Sequence, residues 1–242
     1  MARPKKLKKN LESVILIHGI LNRPFIMTFI KKSLENEGFR VYNWGYKSRE
    51  KNIEEYAAKL KTFIQNQDFP GPIHFVGFSL GAIIARTYLS KHLPSPGSRL
   101  VQIAPPNHGS PWIDTLFRFR LFRWIYGDKA ILQLRTDSSF LKSLGVPRCP
   151  FGIIAGSKKW GKSDDPISPK DNDGSVPLTS TQLPGATDFI RIKSQHTLLL
   201  FRKSTVKNII LFLKTGFFLH PNVNPSGNTP IPEKTETKGE QP

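Results

Sequence analysis

Residues 77–81 of this 242-residue chain read Gly-Phe-Ser-Leu-Gly and stand between a strand-like run, 73–76, and a helix-like run that begins at Ala82. A serine on such a turn has a strained backbone, and small flanking residues let the strand and the helix pack closely. Its hydroxyl is exposed above the sheet, and the next backbone N–H, on Leu80, can donate to a developing oxyanion. The pattern therefore predicts Ser79 as a nucleophile, although the same string also occurs as a tight turn with an incidental serine.

A serine nucleophile needs a general base, and the chain offers 6 histidines. His196 follows the last strand-like run and precedes the last helix-like run. Because loops at the carboxyl ends of parallel strands meet above the sheet, this position can reach Ser79. We therefore predict His196 as the base. The remaining histidines fall in turns, in a strand, at a helix end or at the start of the polar tail, and they are His18, His74, His92, His108 and His220.

The acid that orients the base is expected from the loop at 163–176, which carries Asp164, Asp165, Asp171 and Asp173. Asp173 precedes a tight Gly-Ser-Val-Pro turn, which would fix its carboxylate at a loop tip facing the histidine. The segment 171–174 is also similar to the start of a calcium-binding loop. However, Gln182 stands where that loop needs a bidentate glutamate, and no helix pair flanks it. We predict Asp173 as the acid, and we predict neither a metal ion nor a cofactor.

A second oxyanion donor is predicted in the turn after the first strand-like run. His18, Gly19 and Ile20 follow that run directly. Gly19 permits close approach, His18 can brace the loop, and the amide of Ile20 can then join that of Leu80. One such donor typically contributes about 3 kcal/mol to the transition state.

Six apolar, β-branched runs alternate with helix-like patterns, which predicts an α/β fold with a mainly parallel sheet of about six strands and helices on both faces. Several of these runs are almost continuously apolar, as burial on both faces of a sheet requires. The helical patterns lie at 26–34, at 53–64, directly after Ser79 and at 206–213. The predicted strands are 14–17, 39–44, 73–76, 100–103, 151–154 and 189–192.

The stretch 105–147 is too long for an ordinary connection, so we predict a lid-like insertion at about 107–147 within a domain spanning 13–219. Inside it, 116–126 mixes aromatic residues with three arginines. This segment could be a helix packed over the site or a membrane-interface segment. Residues 1–12 are predicted to be a basic extension and 220–242 a disordered polar tail.

The net charge of +18 favours contact with polyanions, such as acidic membranes. Nucleic acid is a weaker expectation, because no nucleic-acid-binding motif is present. The apolar run at 14–17 is too short for a signal peptide, and no run is long enough to span a membrane, so we expect a cytoplasmic, membrane-peripheral protein. The single cysteine, Cys149, excludes an intrachain disulfide.

The motifs stand in the order seen in lipase-like α/β-hydrolases, and between about 13 and 214 the chain resembles the compact bacterial lipase and esterase branch of that superfamily. The resemblance implies Ser79 as nucleophile, His196 as base, Asp173 as acid, and Ile20 with Leu80 as oxyanion donors. It gives no chemical role to His108 and does not extend to the insertion. The matching segments are 17–20, 77–81, 104–110, 172–177 and 196–197.

The expected function is that of a serine hydrolase that cleaves carboxylic esters, including lipid esters, through an acyl-enzyme. An acyltransferase would use the same three residues, so the sequence does not separate the two reactions, nor does it define the acyl chain, the head group or the oligomeric state. The alternative from another class is a catalytically weak protein of the same fold that binds acidic membrane or nucleic acid through its basic surface.

Overall fold

A computed structural model describes residues 12–157 and 171–220 of the chain. The predicted N-terminal extension, apart from residue 12, and the predicted tail beyond residue 220 lie outside the described residues, as do Asp164 and Asp165.

The core of the protein is a 6-stranded sheet in the order β2-β1-β3-β4-β5-β6, and every neighbouring pair of strands is parallel. This confirms the predicted α/β architecture. β3 and β5 each extend two residues beyond their predicted ends, and β3 continues through Phe78 and so reaches the serine turn directly. The strands are β1 (Ser13–Ile17), β2 (Arg40–Trp44), β3 (Ile73–Phe78), β4 (Leu100–Ile103), β5 (Phe151–Gly156) and β6 (Asp188–Ile192).

Helices cover both faces of the sheet. They are α1 (Thr28–Asn36), α2 (Ile53–Gln65), α3 (Leu80–Lys91), α4 (Pro111–Phe117), α5 (Arg120–Tyr126), α6 (Ser139–Ser143), α7 (Leu178–Thr181) and α8 (Lys203–Thr215). Three short 3₁₀ helices lie at Pro24–Met27, Leu132–Leu134 and Thr197–Phe201. None of the helices in the described parts of the chain is both long and apolar enough to cross a membrane.

Successive residues of a strand point to opposite faces, and this alternation divides the core into two apolar clusters. Ile15 and Ile17 of β1 pack with α2 and α3, whereas Val14 and Leu16 pack with α1 and α8. All four side chains are fully buried. Burial on both sides explains why the strands could be read from the sequence as apolar runs.

The insertion between β4 and β5 folds as α4, α5, one 3₁₀ helix and α6. Its buried side chains join the cluster on the α2 and α3 face, among them Ile113, Phe122 and Leu134. Residues 116–126, for which one interpretation was a helix packed over the site, do not form a single helix. The chain leaves α4 at Phe117, and Phe119 adopts extended angles (φ −85°, ψ 127°) before α5 begins.

Candidate active site

Ser79 occupies the sharp turn between β3 and α3. Its backbone has φ 52° and ψ −120°, a region that costs a non-glycine residue about 1–3 kcal/mol. The surrounding structure holds it there: its N–H donates to the Ile103 carbonyl at 2.9 Å, and its carbonyl accepts the N–H of Ala82 at 2.9 Å. The serine is therefore fixed at the carboxyl end of the sheet by both of its peptide groups.

The two glycines of the pentapeptide are required by close backbone approach. A Cβ atom at Gly77 would lie 2.5 Å from the Ala82 Cα. At Gly81 it would lie 2.2 Å from the Ile17 carbonyl oxygen and 2.5 Å from that of His18. Any side chain at these positions would push α3 away from β3 or β1 and would move the serine with it.

His196 is held by Asp173 through two hydrogen bonds. The histidine Nδ1 lies 2.6 Å from the carboxylate Oδ2, and the histidine backbone N–H donates to the Asp173 carbonyl at 2.9 Å. Because an ionised carboxylate only accepts, Nδ1 carries the proton of the neutral imidazole and Nε2 is left as an acceptor. The ring also packs against Phe78, with the ring centroids 4.9 Å apart.

The loop around Asp173 fixes its carboxylate. The side chain is buried, and its Oδ1 accepts the N–H groups of Ser175 at 3.0 Å and Val176 at 2.8 Å. Gly156 at the end of β5 leaves room for it, since a Cβ there would lie 2.6 Å from the Asp173 Cβ. By contrast, Asp171 points outward to Arg191, at 2.6 Å.

Ser79 and His196 line the same cavity, which has a volume of about 230 Å³. Ile20 and Phe78 lie on the sheet side of this cavity. The insertion supplies an apolar wall, formed by Trp112, Ile113, Tyr126, Ile131 and Leu134. We name this space the catalytic cavity after the roles predicted for Ser79 and His196, and its wall from the insertion is apolar.

The two predicted oxyanion donors differ in their surroundings. Leu80 is the first residue of α3, where a backbone N–H has no acceptor within the helix, and its side chain is buried in the core. Ile20 belongs to the turn after β1, and its carbonyl is held by the Asn22 side-chain amide at 3.0 Å. The next residue, Leu21, has a positive φ of 55° and donates its N–H to Ser48 Oγ at 2.9 Å.

His18 braces this turn from below. Its Nε2 accepts the Tyr46 N–H at 3.4 Å, so Nδ1 carries the proton and donates to the Gly19 carbonyl at 2.9 Å. The Tyr46 hydroxyl donates to the His18 carbonyl at 2.7 Å, and the two rings stack at 4.3 Å. Burial lowers the pKa of His18, which favours this neutral form. Tyr46 and Ser48 carried no motif signal, because their partners lie 28 and 27 positions away in the sequence, respectively.

A buried arginine connects the insertion to α3, the helix that follows Ser79. Arg86 of α3 donates to the carbonyls of Leu144 (2.6 Å), Gly145 (3.0 Å) and Asn107 (3.3 Å), and also to the Asn107 side-chain oxygen (3.1 Å). Burial lowers the pKa of its guanidinium to about 10. The sequence signal for this network was a single arginine directly after the apolar run 82–85 of α3.

Other reactive groups lie apart from this site. Burial raises the pKa of the Cys149 thiol to about 12, so the thiol stays protonated at neutral pH. His108 is exposed and does not line the catalytic cavity. Within 12–157 and 171–220, no group of three or more potential ligands is arranged to hold a metal ion.

Solved structures of lipases and esterases share this fold. A lipase of Bacillus licheniformis in its mature form matches with a TM-score of 0.63 at 21% identity, covering 84% of this chain and 90% of that one. A metagenomic carboxyl esterase matches with a TM-score of 0.61 at 16% identity, covering 82% and 68%. A pyrethroid hydrolase of Sphingobium faniae matches with a TM-score of 0.55 at 14% identity, covering 85% and 98%.

Neither a protein-family model nor a curated protein sequence matches the chain. At these identities the likeness to solved structures concerns the fold. The chain therefore has the α/β-hydrolase fold, in the form seen in lipases and esterases.

Proposed function

We propose that this protein is a carboxylic ester hydrolase of the lipase or esterase type that works through an acyl-enzyme. The observation that carries the proposal is the combination of a strained Ser79 with the His196–Asp173 pair at one apolar cavity. Strain at a non-glycine residue persists where the surrounding structure enforces it, and such residues cluster at active sites.

In the proposed reaction the Ser79 Oγ attacks the ester carbonyl carbon while His196 Nε2 takes the serine proton. The carbonyl electrons move to oxygen, and the backbone N–H groups of Leu80 and Ile20 stabilise this oxyanion. The tetrahedral intermediate collapses, the alcohol leaves with the proton from Nε2, and an acyl-serine remains. Water then attacks the acyl-serine by the same steps and releases the acid. Asp173 stabilises the imidazolium in both halves.

A fluorophosphonate probe tests the nucleophile, because it phosphonylates an activated serine with loss of fluoride. We expect labelling of the wild type and of Ser204→Ala, which removes an exposed serine on α8. Ser79→Ala should not be labelled. A wild-type protein that remains unmodified after long exposure would refute the proposal.

Hydrolysis and acyl transfer share the acyl-enzyme and differ in the acceptor. An assay with a neutral ester in water, repeated with an added primary alcohol, separates them by the ratio of free acid to new ester. We expect free acid to dominate. Predominant formation of new ester at low alcohol concentration would assign the protein as an acyltransferase.

Binding to acidic membrane is a second candidate function, favoured by the surface of α5. Leu121 and Trp124 are 67% and 72% exposed, and Phe119 just before the helix is 49% exposed. Three exposed arginines, Arg118, Arg120 and Arg123, surround these side chains. An apolar surface beside positive charge fits the boundary between acyl chains and anionic head groups.

Liposome flotation tests this surface. We expect binding to vesicles of phosphatidylglycerol and much weaker binding to phosphatidylcholine, with loss of binding in the double variant Leu121→Ser/Trp124→Ser. Leu93→Ser is the matched control, because Leu93 is 71% exposed and lies just after α3, outside the insertion. Equally weak binding to both kinds of vesicle would contradict a membrane-binding function.

A further inference from the structure

A second concavity opens beside the catalytic cavity. Its volume is about 850 Å³, and it shares Leu21 and Asn22 with the catalytic cavity, whose volume is about 230 Å³. Its walls come from the turn after β1, the loop after β2 and the residue that ends α5, Gly127. We call it the basic groove, and its lining beyond the shared residues includes Arg23, Lys47, Arg49 and Glu50.

The basic groove has an excess of positive charge. Three cations line it against one carboxylate, and Lys47 pairs with that carboxylate, on Glu50, at 3.1 Å. The Arg49 guanidinium donates to the Trp124 carbonyl. The Arg23 side chain is exposed and meets no hydrogen-bond acceptor or carboxylate among the residues that the structure describes. Arg23 is therefore a guanidinium available to an anion from solution.

The backbone around this groove is held in place. The Asn43 side-chain amide donates to the Pro24 carbonyl at 2.6 Å, and a Cβ atom at Gly45 would lie 2.7 Å from the Pro24 ring. On the other side, Gly127 has a positive φ of 80°, and a Cβ there would lie 2.9 Å from the Arg49 carbonyl oxygen. These contacts hold Pro24, the neighbour of Arg23, against the end of β2 and place the Arg49 backbone against the end of α5.

We propose that the basic groove binds an anionic group on the alcohol part of the ester, so that the preferred substrates are phosphate-bearing glycerolipid esters. This rests on the proposed ester hydrolysis at Ser79. The catalytic cavity has an apolar wall and accepts the acyl chain, whereas the groove that meets it at Leu21 and Asn22 is cationic. A guanidinium binds phosphate through paired, charge-assisted hydrogen bonds, which Arg23 is free to make.

Two esters with the same acyl chains test the assignment: dihexanoylglycerol, which is neutral, and its 3-phosphate. We expect the wild type to have about tenfold higher kcat/KM for the phosphate ester, as one charge-assisted contact supports. Arg23→Gln should remove that preference mainly through KM and leave the neutral ester unaffected. Lys59→Gln, which removes an exposed charge on α2, should retain it. The preference should also weaken as ionic strength rises.

A binding measurement separates the groove from the chemistry. Calorimetry with the phosphate ester on Ser79→Ala should give a Kd about tenfold lower than on Ser79→Ala/Arg23→Gln. Cleavage of both esters without preference, or equal Kd values, would contradict anion binding in the basic groove but would leave the proposed ester hydrolysis intact. Cleavage of neither ester, together with no fluorophosphonate labelling, would overturn the proposed function and the groove assignment that depends on it.

Discussion

The substitution Asp173→Asn should change the tautomer of His196 while leaving the packing around it nearly unchanged. Asp173 Oδ1 accepts the N–H groups of Ser175 and Val176 at 3.0 and 2.8 Å, and Oδ2 faces His196 Nδ1 at 2.6 Å. An asparagine must keep its oxygen at the Oδ1 position, because its NH₂ group cannot accept those two N–H groups. The NH₂ group then faces Nδ1 and donates to it. The imidazole proton therefore moves to Nε2, where it blocks proton transfer from Ser79.

The expected loss in kcat is about 10⁴-fold, as for a triad histidine held in the wrong tautomer. That factor corresponds to about 5.5 kcal/mol of transition-state stabilisation. The free energy of unfolding should fall by only about 1–2 kcal/mol, because the side chain keeps its shape and exchanges charge-assisted bonds for neutral ones. Hydrolysis of a soluble nitrophenyl ester at neutral pH measures the first quantity, and urea unfolding measures the second.

Asp171→Asn is the matched control, because that aspartate lies two positions away and pairs with Arg191 on the surface. Its kcat should stay within about twofold of the wild type, since exposed ion pairs contribute little. A folded Asp173→Asn variant that kept more than about a tenth of wild-type kcat would contradict this role of Asp173.

Other buried contacts should have measurable effects on activity and stability. Gly81→Ala should lower both kcat and the melting temperature, because its Cβ would lie 2.2 Å from the Ile17 carbonyl oxygen; unchanged values would contradict the close packing. Arg86→Met should lower the free energy of urea unfolding by about 3 kcal/mol, since buried carbonyls lose their donor, and a loss under about 1 kcal/mol would contradict this. Burial lowers the pKa of His18 and, despite Glu12, of His74 below 6.5. The unfolded state therefore binds more protons in this range. The free energy of unfolding should be highest above pH 6.5 and should fall as the pH drops from there towards the pKa values of the folded state. A free energy of unfolding that does not change below pH 6.5 would contradict this.

The sheet and the serine turn could be predicted because their signals are local. A strand buried on both faces is an uninterrupted apolar run, and Gly77 and Gly81 mark a close approach within five residues of sequence. Pairing of His196 with one particular aspartate depends on three-dimensional loop geometry. The sequence could narrow that choice only through the turn residues that follow Asp173.

The structural features that could not be predicted depend on residues far apart in the sequence, or on a composition that also fits a different structure. The break at Phe119 was hidden because aromatic and arginine residues continue on both sides of it with a helix-like composition. Ser48 and Tyr46 hold the oxyanion turn from 27 and 28 positions away. A lone Arg86 does not reveal which carbonyls it will meet, because those acceptors belong to backbone whose path was not predictable.

Helix α3 connects Ser79 to the insertion, and this connection determines which part of the insertion can move. Ser79 precedes the helix, and Arg86, about two turns later, binds Asn107 at the start of the insertion and Leu144 and Gly145 at its end. Both ends are thus anchored to the element that positions the serine. Any displacement of the insertion that widens the catalytic cavity must then be carried by the residues between these two anchored ends. We expect faster amide hydrogen exchange in α5 than at the anchored ends, and uniform exchange across the insertion would contradict this anchoring.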